Sequence, residues 1–557
     1  MRPKTTPALP RDALVGGGLL ALLLGAHGLL FAAYVRREVA WAYAPNYDQT
    51  ALLQLTYRTY EHIRHDGAWA ALTHALRTLP PTGATLHLEA AFLFVLTGPS
   101  RLAALGVNWL HFAALQVAVV AAVRARAGGR RLPALALGLV WCLATPFYYA
   151  GGLDDFRFDF AGWCLYGTFL ALVMWSGLFR RHGLSLAAGA VATLCVLTRS
   201  LTSVYFGGVM TVWTAVVAFR LWRAPDDAAR ADRKRQLGGA LLCAACLVLV
   251  ALPSLALRAR SLWNYYVVGH VTGAEHAVRK AESGITGSLD ALWYYPSSLF
   301  ADHAGGVFLW TACAAIALLA LFPRPRAERT RSQPGFPPEA PWFAALSAAI
   351  PLIVLTADEA KSVIVGGILA QPLLWAAVLA AAGLAGRSRP EALRVAAAGV
   401  LAIGAAFQVA RLTGSAPSRI DRAARLEVSR LHDDVARVAR QMGETHLLAD
   451  RKGDYVPATF VAAYERQGIA LDLRYPLAEI VWEPTDGEVD EALDRSELVI
   501  VTMEPPPPYW TYPYDRTLAA LQPRLLDYCG RQLSLVGTYR VPAEVRLYAR
   551  AMPAARS

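Results

Sequence analysis

An aspartate, Asp48, follows the first long apolar stretch of the sequence and begins a mixed polar and apolar segment that extends to Trp69. We predict that this segment forms a helix lying on a membrane surface. Arg58, His62 and His65 follow one another at steps of four and three residues, which places them on one face of that helix. A carboxylate beside cationic groups at a membrane face suits acid–base chemistry. The alternative role for Asp48 is structural, because aspartate is also a preferred N-cap of a helix.

Three further stretches place charged residues beside apolar runs, and their side chains are candidates to join Asp48 in one site. They are GGLDDFRFDF with Asp154, Asp155, Arg157 and Asp159, residues 258–305 with Arg258 and Arg260, and TADEAKS with Asp358, Glu359 and Lys361. A charge at the centre of a membrane costs about 2.5–3.5 kcal/mol and much less at the interface, so charged groups there are usually paired or functional. The structural alternatives are a solvated turn in which the acidic residues pair with Arg157, and a Lys361 that is neutralised by the carboxylates beside it.

The composition indicates a membrane protein. Of the 557 residues, 55% are hydrophobic and 17% are charged, whereas soluble domains carry about 25% charged residues. The net charge of +12 does not indicate nucleic-acid binding, because the arginines cluster in short loops between apolar runs. The cysteines form no disulfide framework. Cys243 and Cys246 are spaced like a metal-binding pair, but they lie in an apolar run without a nearby histidine, which argues against zinc.

Apolar runs near the roughly 20 residues needed to cross a bilayer occur about eleven times. They lie at 13–34, 102–123, 133–150, 160–179, 184–199, 203–222, 237–257, 306–322, 342–357, 363–385 and 392–411. The runs at 184–199 and 342–357 are short for a membrane span. The sequence therefore predicts a polytopic α-helical membrane protein with about eleven spans. A shorter apolar patch, Ala90–Leu96, is predicted to be a re-entrant or interfacial piece.

The loops between these runs divide into two sets. With about eleven spans, the arginine-rich loops all fall on one side of the membrane, at 2–11, 124–131, 180–181, 220–235, 324–331 and 387–394. The positive-inside rule makes that side the cytoplasm, with Arg36 and Arg37 as an exception. The N-terminus is then cytoplasmic, and the loops 35–101 and 258–305 lie outside with everything after the last span. Asp48 and the other candidate residues share this outer face.

Residues 413–557 have the character of a soluble domain, whereas residues 1–412 form the membrane domain. Apolar residues from Ile420 repeat at steps of four and three, which predicts an amphipathic helix that ends at Gly443. Further along the tail, strands are predicted at 446–449, at 497–503 and, as a pair broken at Pro542, at 533–550, with a helix at 458–467. This alternation predicts a small α/β domain. It contains neither GxGxxG nor a P-loop, so nothing indicates nucleotide binding.

Together these features resemble the GT-C glycosyltransferases, membrane enzymes that take sugars from polyprenyl-phosphate donors. Within that superfamily the chain looks most like the group of protein mannosyltransferases and lipid A aminoarabinose transferases. The resemblance covers the whole chain as architecture and rests on several short motifs. These are Tyr47-Asp48 after the first span, Asp66-Gly67-Ala68-Trp69 at the end of the surface helix, Gly98-Pro99-Ser100-Arg101 before the second span, Asp154-Asp155 after the third, and Val545-Arg546-Leu547-Tyr548 in the tail.

The resemblance implies an inverting sugar transfer at the periplasmic face of a bacterial inner membrane, to a glycan, lipid or protein acceptor. It implies that Asp48 is the catalytic base, which takes the proton from the acceptor hydroxyl as that oxygen attacks the anomeric carbon. Asp154 or Asp155 is expected to contact the acceptor or the sugar. Lys361 matches a basic residue before a late span and is expected to bind the donor phosphate. Further expected phosphate contacts are Arg58, Arg258 and Arg260, and the resemblance leaves a divalent metal open.

At some positions the chain departs from the family pattern. Many relatives have Asp-Glu where this chain has Asp48-Gln49, and relatives that bind lipid A have a lysine where this chain has His87 and Glu89. Lipid A is therefore not favoured as the acceptor. Two other functions stay open, namely a catalytically silent subunit of GT-C fold and a transporter of lipid-linked sugars. A transporter predicts ionisable residues deep within several helices and an inverted repeat, and the sequence shows neither.

Overall fold

The computed structural model describes residues 11–40, 47–77, 82–83, 85–127, 130–272, 276, 280, 283–323, 335–358, 361–413, 422–450, 452–474, 476–477, 484–504, 513–541 and 543–550. The arginine-rich loop predicted at 324–331, most of the loop 2–11, Glu359 and Pro542 lie outside these residues.

The membrane part is helical. Its helices are α1 (Arg11–Tyr34), α2 (Tyr47–Asp66), α3 (Ala68–Arg77), α4 (Thr85–Thr97), α5 (Arg101–Ala127), α6 (Arg131–Cys142), α7 (Phe158–Ser176), α8 (His182–Thr198), α9 (Thr202–Trp222), α10 (Asp227–Leu257), α11 (Ala259–Leu262), α12 (Ser288–Ser298), α13 (Gly305–Leu321), α14 (Ala340–Ala357), α15 (Val363–Gly366), α16 (Ala370–Ala385) and α17 (Pro390–Thr413). Short π-helical stretches lie at Val35–Val39, Trp263–Thr272 and Leu299–Ala304, and 3-10 turns lie at Thr145–Phe147 and Gly367–Leu369.

The predicted apolar runs are largely helical in the structure. Among the described residues, nine helical stretches are long and apolar enough to cross a membrane, which agrees with the predicted polytopic membrane protein. The runs predicted at 133–150 and 184–199 correspond to shorter apolar helices, Arg131–Phe147 and His182–Thr198. In the first of these, the regular α-helix covers only the 12 residues Arg131–Cys142, which rise by about 18 Å at 1.5 Å per residue, and a 3-10 turn follows at Thr145–Phe147.

The loops that the sequence assigns to the cytoplasmic side contact one another. A guanidinium nitrogen of Arg180 lies 2.9 Å from Asp232. Arg233 and Arg220 lie 2.8 and 3.4 Å from the largely buried carboxylate of Glu339, just before α14. These contacts bring three separate loops to one end of the bundle, as expected if they share one side of the membrane.

Polar side chains anchor α1 inside the bundle. The indole of Trp109 donates to Nδ1 of His27 at 3.1 Å, and the other ring nitrogen of His27 lies 3.0 Å from Oε1 of Gln408. The amide of Gln408 donates in turn to the carbonyl of Trp141 at 3.0 Å. Because hydrocarbon offers no other partner to these groups, the chain of hydrogen bonds fixes α1 against α5, α6 and α17. The anchored helix ends at Tyr34, beside the acidic loop.

The tail contains a five-stranded sheet and the helices α18 (Arg422–Met442), α19 (Lys452–Gln467), α20 (Asp486–Arg495), α21 (Pro513–Ala520) and α22 (Gln522–Gln532). The strands are β1 (Thr445–Ala449), β2 (Leu473–Arg474), β3 (Leu498–Thr502), β4 (Ser534–Val541) and β5 (Ala543–Ala549), in the order β2-β1-β3-β5-β4. β1 pairs in parallel with β2 and β3, whereas β5 is antiparallel to β3 and β4. The predicted α/β tail is confirmed, and its predicted elements coincide with α18, β1, α19, β3 and the β4–β5 hairpin.

The tail packs on the surface helix α2 through α19. The rings of Tyr57 and Tyr464 stack with their centroids 4.4 Å apart. The hydroxyl of Tyr57 donates to Glu465 at 2.8 Å, and the same carboxylate lies 2.8 Å from the buried guanidinium of Arg101. Helix α2 therefore carries Asp48 at its start and holds the tail further along.

Candidate active site

Polar side chains from two helices hold the acidic loop between α6 and α7. The amide of Asn108 in α5 donates to the carbonyls of Leu153 and Asp155 at 3.3 and 2.8 Å. In addition, Oε1 of the buried Gln49 accepts the backbone N–H of Phe156 at 3.2 Å. These bonds fix the path of the loop and tie it to the start of α2.

Two glycines allow the loop to turn tightly. Gly151 has a φ of +82°, in the left-handed region that favours glycine. At Gly152, a Cβ atom would lie 2.3 Å from the carbonyl oxygen of Tyr148. The backbone N–H of Gly151 also donates to Oδ2 of Asp155 at 2.5 Å. A side chain at either glycine would displace a loop whose backbone binds a candidate site residue.

One buried guanidinium joins two of the predicted acidic residues. Arg157 donates through Nε to Oδ2 of Asp155 at 2.7 Å, and a second of its nitrogens lies at the same distance. A third contact, at 3.5 Å, joins Arg157 to Oδ2 of Asp48. The Asp48 side chain is 60% exposed, whereas that of Arg157 is 4% exposed. We call Asp48, Asp155 and Arg157 the acidic cluster; it presents one carboxylate to the outside and buries the other.

Asp155 serves to orient Arg157. Burial raises the pKa of Asp155, and the guanidinium of Arg157 and the N–H of Gly151 oppose that effect. A buried carboxylate stays charged only when opposite charge and hydrogen bonds replace its hydration. Oδ2 receives these bonds, while Oδ1 is buried without a hydrogen-bond partner among the described residues. The fixed Arg157 in turn places a positive charge beside the exposed Asp48.

The neighbouring Asp154 has a different partner. Its Oδ2 accepts the hydroxyl proton of Tyr34 at 2.7 Å. Asp154 therefore ties the acidic loop to the end of α1. Of the two predicted loop aspartates, the structure brings Asp155 to Asp48 through a shared guanidinium.

Lys361, which is predicted to bind the donor phosphate, caps a helix in the structure. Its buried ammonium donates to the carbonyls of Leu355 and Thr356 at 2.9 and 2.7 Å, and also to that of Asp358. These carbonyls belong to the C-terminal end of α14, where a cation also interacts favourably with the helix dipole. The three donors of the ammonium are thereby used, so a phosphate contact requires Lys361 to leave this cap.

The predicted arginines lie at two other places. Arg58 follows Asp48 by ten residues on α2, or about 15 Å at 1.5 Å per residue, and its guanidinium lies 5.3 Å from the ring centre of Phe460 in the tail. Arg258 is buried at the end of α10 and donates to the carbonyl and the hydroxyl of Ser254 at 3.2 and 3.4 Å. Arg260 is exposed on the next turn. Arg58 thus contacts the tail, whereas the other two lie at the end of a membrane helix.

A second ion pair borders the acidic loop. Nε of Arg199, after α8, lies 3.3 Å from Oδ1 of Asp159 in the first turn of α7. Trp163 and Tyr205 line the same cleft, and sequence reasoning did not find either of them. Aromatic residues near the ends of apolar helices are typical of membrane interfaces, so the positions of Trp163 and Tyr205 carry no separate signal for a site.

The side chains of the described residues do not form a metal-binding cluster. Across the described ranges, no three histidine, cysteine, aspartate or glutamate residues meet in an arrangement that holds a metal ion. The positive charge beside Asp48 and Asp155 is the guanidinium of Arg157.

Replacing Gln49 with methionine is expected to lower the free energy of unfolding by about 1–3 kcal/mol, because the backbone N–H of Phe156 loses its acceptor. Gln54, on the same helix but only partly buried, provides the control, and Gln54→Met is expected to change stability by about 0.5 kcal/mol or less. Chemical denaturation of both variants in detergent measures the difference. Equal losses in the two variants would show that the amide oxygen of Gln49 does not hold the loop.

Comparison with known protein structures identifies the fold of this chain. No family model matches the chain, and no curated protein matches it. The structure of ArnT from Cupriavidus metallidurans in the apo state is 13% identical, with a TM-score of 0.56, over 96% of this chain and 98% of that chain. The structure of the same ArnT bound to undecaprenyl phosphate is 14% identical, with the same TM-score and coverage. At this level of identity the likeness shows the fold, so the chain is a polytopic membrane protein of the GT-C fold with an α/β tail.

Proposed function

We propose that this protein is an inverting glycosyltransferase that moves a sugar from a polyprenyl-phosphate-linked donor to an acceptor hydroxyl. The observation that supports the proposal is the exposed carboxylate of Asp48, which lies 3.5 Å from the buried Arg157 within a fold shared with ArnT. One ArnT structure is bound to undecaprenyl phosphate, which is the lipid part of such a donor. The arginine-rich loops favour a bacterial inner-membrane protein with a cytoplasmic N-terminus and a periplasmic tail.

In the proposed reaction, Asp48 accepts the proton of the acceptor hydroxyl. The acceptor oxygen forms a bond to the anomeric carbon from the face opposite the donor phosphate. The bond between that carbon and the phosphate oxygen breaks, and its electron pair stays on the leaving polyprenyl phosphate. A single displacement of this kind inverts the anomeric centre. Arg157 places a positive charge beside Asp48 but is itself too buried to meet the acceptor.

An apolar groove is suited to the lipid part of the donor. It lies along α12, α14 and α16 and encloses a cavity of about 580 Å³. Its walls are apolar throughout and include Pro296, Leu299, Leu352, Leu373 and Leu379. Such a surface matches the branched hydrocarbon of an isoprenoid chain. We assign the part of that chain nearest the phosphate to this groove.

The leaving phosphate requires cations near the groove and the cluster. Arg258 is buried at the end of α10, where its guanidinium donates to the carbonyl and the hydroxyl of Ser254. Arg260 lies on the following turn and is exposed. Lys361 contacts the ring of Tyr295 beside the groove, with its ammonium 5.4 Å from the ring centre. We propose Arg258 and Arg260 as the first phosphate contacts to test.

The function is tested with the full-length protein in liposomes that contain undecaprenyl phosphate carrying glucose, mannose or 4-amino-4-deoxyarabinose. Lipid, glycan and protein fractions of a bacterial envelope serve as acceptors. Release of undecaprenyl phosphate that depends on an acceptor is the expected result. Donor binding without release would favour a silent subunit. Movement of the loaded lipid across the bilayer without release would favour a transporter.

A further inference from the structure

A narrow cleft lies between the first turns of α7 and α9 and the turn that contains α15. Its apolar walls include Ile364, and its polar walls are Asp159, Trp163, Arg199, Tyr205 and Thr202, whose hydroxyl donates to the carbonyl of Arg199 at 2.8 Å. The free volume is about 20 Å³, which is enough for about one oxygen atom with its hydrogens. The cleft therefore has room for a single hydroxyl group rather than a whole sugar ring.

Two hydrogen-bond donors in the cleft are buried without partners. The side chains of Trp163 and Tyr205 belong to residues that are each 2% exposed. Neither the indole N–H nor the phenol hydroxyl has a hydrogen-bond partner within the described part of the chain. Buried polar groups are nearly always paired, and leaving a donor unpaired costs about 1–3 kcal/mol. Two such donors in one cleft indicate that it takes an oxygen atom from outside the protein.

The charge of the cleft selects a neutral group. Arg199 and Asp159 form an ion pair at 3.3 Å, and the guanidinium also lies 4.9 Å from the ring centre of Phe158. The positive charge is thus balanced within the cleft. A phosphate would meet the carboxylate of Asp159 at short range, which disfavours it. A hydroxyl group has no such conflict.

The available groups complete the hydrogen bonding of one alcohol. A hydroxyl oxygen carries two lone pairs and one proton. Trp163 and Tyr205 supply two donors for the lone pairs, and the carboxylate of Asp159 can accept the proton. The rings of Trp163 and Tyr205, with Ile364, also offer apolar surface to the C–H groups beside that alcohol.

The cleft adjoins the acidic loop. A Cβ atom on Gly151 would lie 3.4 Å from Cβ of Asp159 and 2.7 Å from a methyl carbon of Ile364. The backbone N–H of Gly151 donates to Asp155 in the acidic cluster. A group bound in the cleft is therefore separated from the cluster by one turn of the loop.

We propose that the Trp163–Tyr205 cleft binds one ring hydroxyl of the donor sugar and thereby selects the sugar. This inference rests on the proposed function and goes beyond it, because it assigns the specificity for the sugar to residues outside the acidic cluster. The donor is then a sugar with a free hydroxyl at the position that reaches the cleft.

The test measures how tightly wild type and the variant Tyr205→Phe bind two lipids, undecaprenyl phosphate that carries a sugar and bare undecaprenyl phosphate. The variant keeps the ring and removes the hydroxyl. It is expected to bind the best sugar-loaded lipid about 5- to 10-fold more weakly than wild type, as the loss of one hydrogen bond predicts, and to bind bare undecaprenyl phosphate unchanged. A deoxy analogue of the donor that lacks the bound hydroxyl should bind wild type more weakly than the donor itself does. Tyr205→Phe should not weaken the binding of this analogue further.

Tyr166→Phe is the matched control. The Tyr166 hydroxyl is also fully buried in the membrane part, but it donates to the carbonyl of Ser347 at 2.7 Å, and Tyr166 does not line the cleft. Removing the Tyr166 hydroxyl should leave the affinities for the sugar-loaded and the bare lipid unchanged. The control therefore separates a general effect of losing a buried hydroxyl from the loss of a hydrogen bond in the cleft. Trp163→Phe provides a second variant with the expected result of Tyr205→Phe.

Other results would overturn the inference in distinguishable ways. Equal weakening of loaded and bare lipid in Tyr205→Phe would place the phosphate, not the sugar, at the cleft. If both cleft variants bound the sugar-loaded lipid as tightly as wild type does, no sugar hydroxyl would lie in the cleft. The proposed binding of the donor would be unaffected by that result. Failure of wild type to bind either lipid would remove the proposed function and this inference together.

Discussion

Asp48→Asn is expected to lower the rate of sugar transfer by about 10²–10⁴-fold, the range over which a positioned general base contributes. Asparagine keeps the shape of the side chain but cannot accept the acceptor's proton. The affinity for the donor should change little, because the proposed base acts on the acceptor. The measurement is acceptor-dependent release of undecaprenyl phosphate by wild type and variant, with donor binding measured in parallel.

Asp66→Asn is the control for this prediction. Asp66 ends the same helix, and its side chain is similarly exposed, at 56%, and lies 2.9 Å from a ring nitrogen of His62. Its loss should leave the rate of transfer close to that of wild type. If Asp48→Asn turned over donor as fast as Asp66→Asn, Asp48 would not be the base. The search would then move to Asp154, which contacts Tyr34, and to Asp155.

The helical framework of the membrane part could be predicted because apolar length is a local property of the sequence. The errors occur where a boundary depends on distant packing. The run at 342–357, which looks short for a span, gains Ala340 and Pro341 and becomes a helix of 18 residues. The run at 133–150 loses its end, because its last residues form the start of the acidic loop, which Asn108 and Gln49 hold.

The site could be predicted as a set of stretches but not as a set of contacts. Asp48 and Asp155 were both candidates from the sequence, and a pairing of the loop aspartates with Arg157 was one of the alternatives. The sequence offered no reason to extend that pairing to Asp48, more than a hundred residues from Arg157. For Lys361, the sequence suggested one contact and the structure shows another. A lysine before a late span suggests a phosphate contact, but the end of α14 leaves carbonyls that the ammonium reaches. Which of the two roles prevails depends on where the helix stops, and that is decided by packing.

The buried ion pair between Arg101 and Glu465 is expected to control how firmly the tail is held on the membrane part. Arg101 donates to both carboxylate oxygens, through Nε at 3.2 Å and through a terminal nitrogen at 2.8 Å. The two side chains are 2% and 10% exposed. Removing one partner of such a pair leaves an uncompensated buried charge and costs about 3–5 kcal/mol. Glu465→Ala should therefore lower the stability of the protein by about that amount.

A neighbouring surface pair provides the control. Arg466 and Asp433 lie 2.8 Å apart, with side chains 30% and 44% exposed, and pairs of this kind contribute about 0–1 kcal/mol. Asp433→Ala, which opens this pair, should accordingly have a small effect. Chemical denaturation of both variants in detergent, read from a fluorescent label on the tail, compares the two losses. Similar losses would show that the buried pair is not what holds the tail.

The double variant Arg101→Met/Glu465→Met separates the charge from the packing. When both charges are absent, neither is left buried without a partner, so the double variant should be more stable than Glu465→Ala. Glu465→Ala is also expected to slow sugar transfer, because α2 carries both the tail contact at Tyr57 and the proposed base Asp48, and the double variant should recover part of that rate. Recovery of stability without recovery of rate would mean that the contact between the tail and α2 stabilises the protein but does not affect sugar transfer. Recovery of both would mean that the tail, through α2, helps to position the proposed catalytic carboxylate of Asp48.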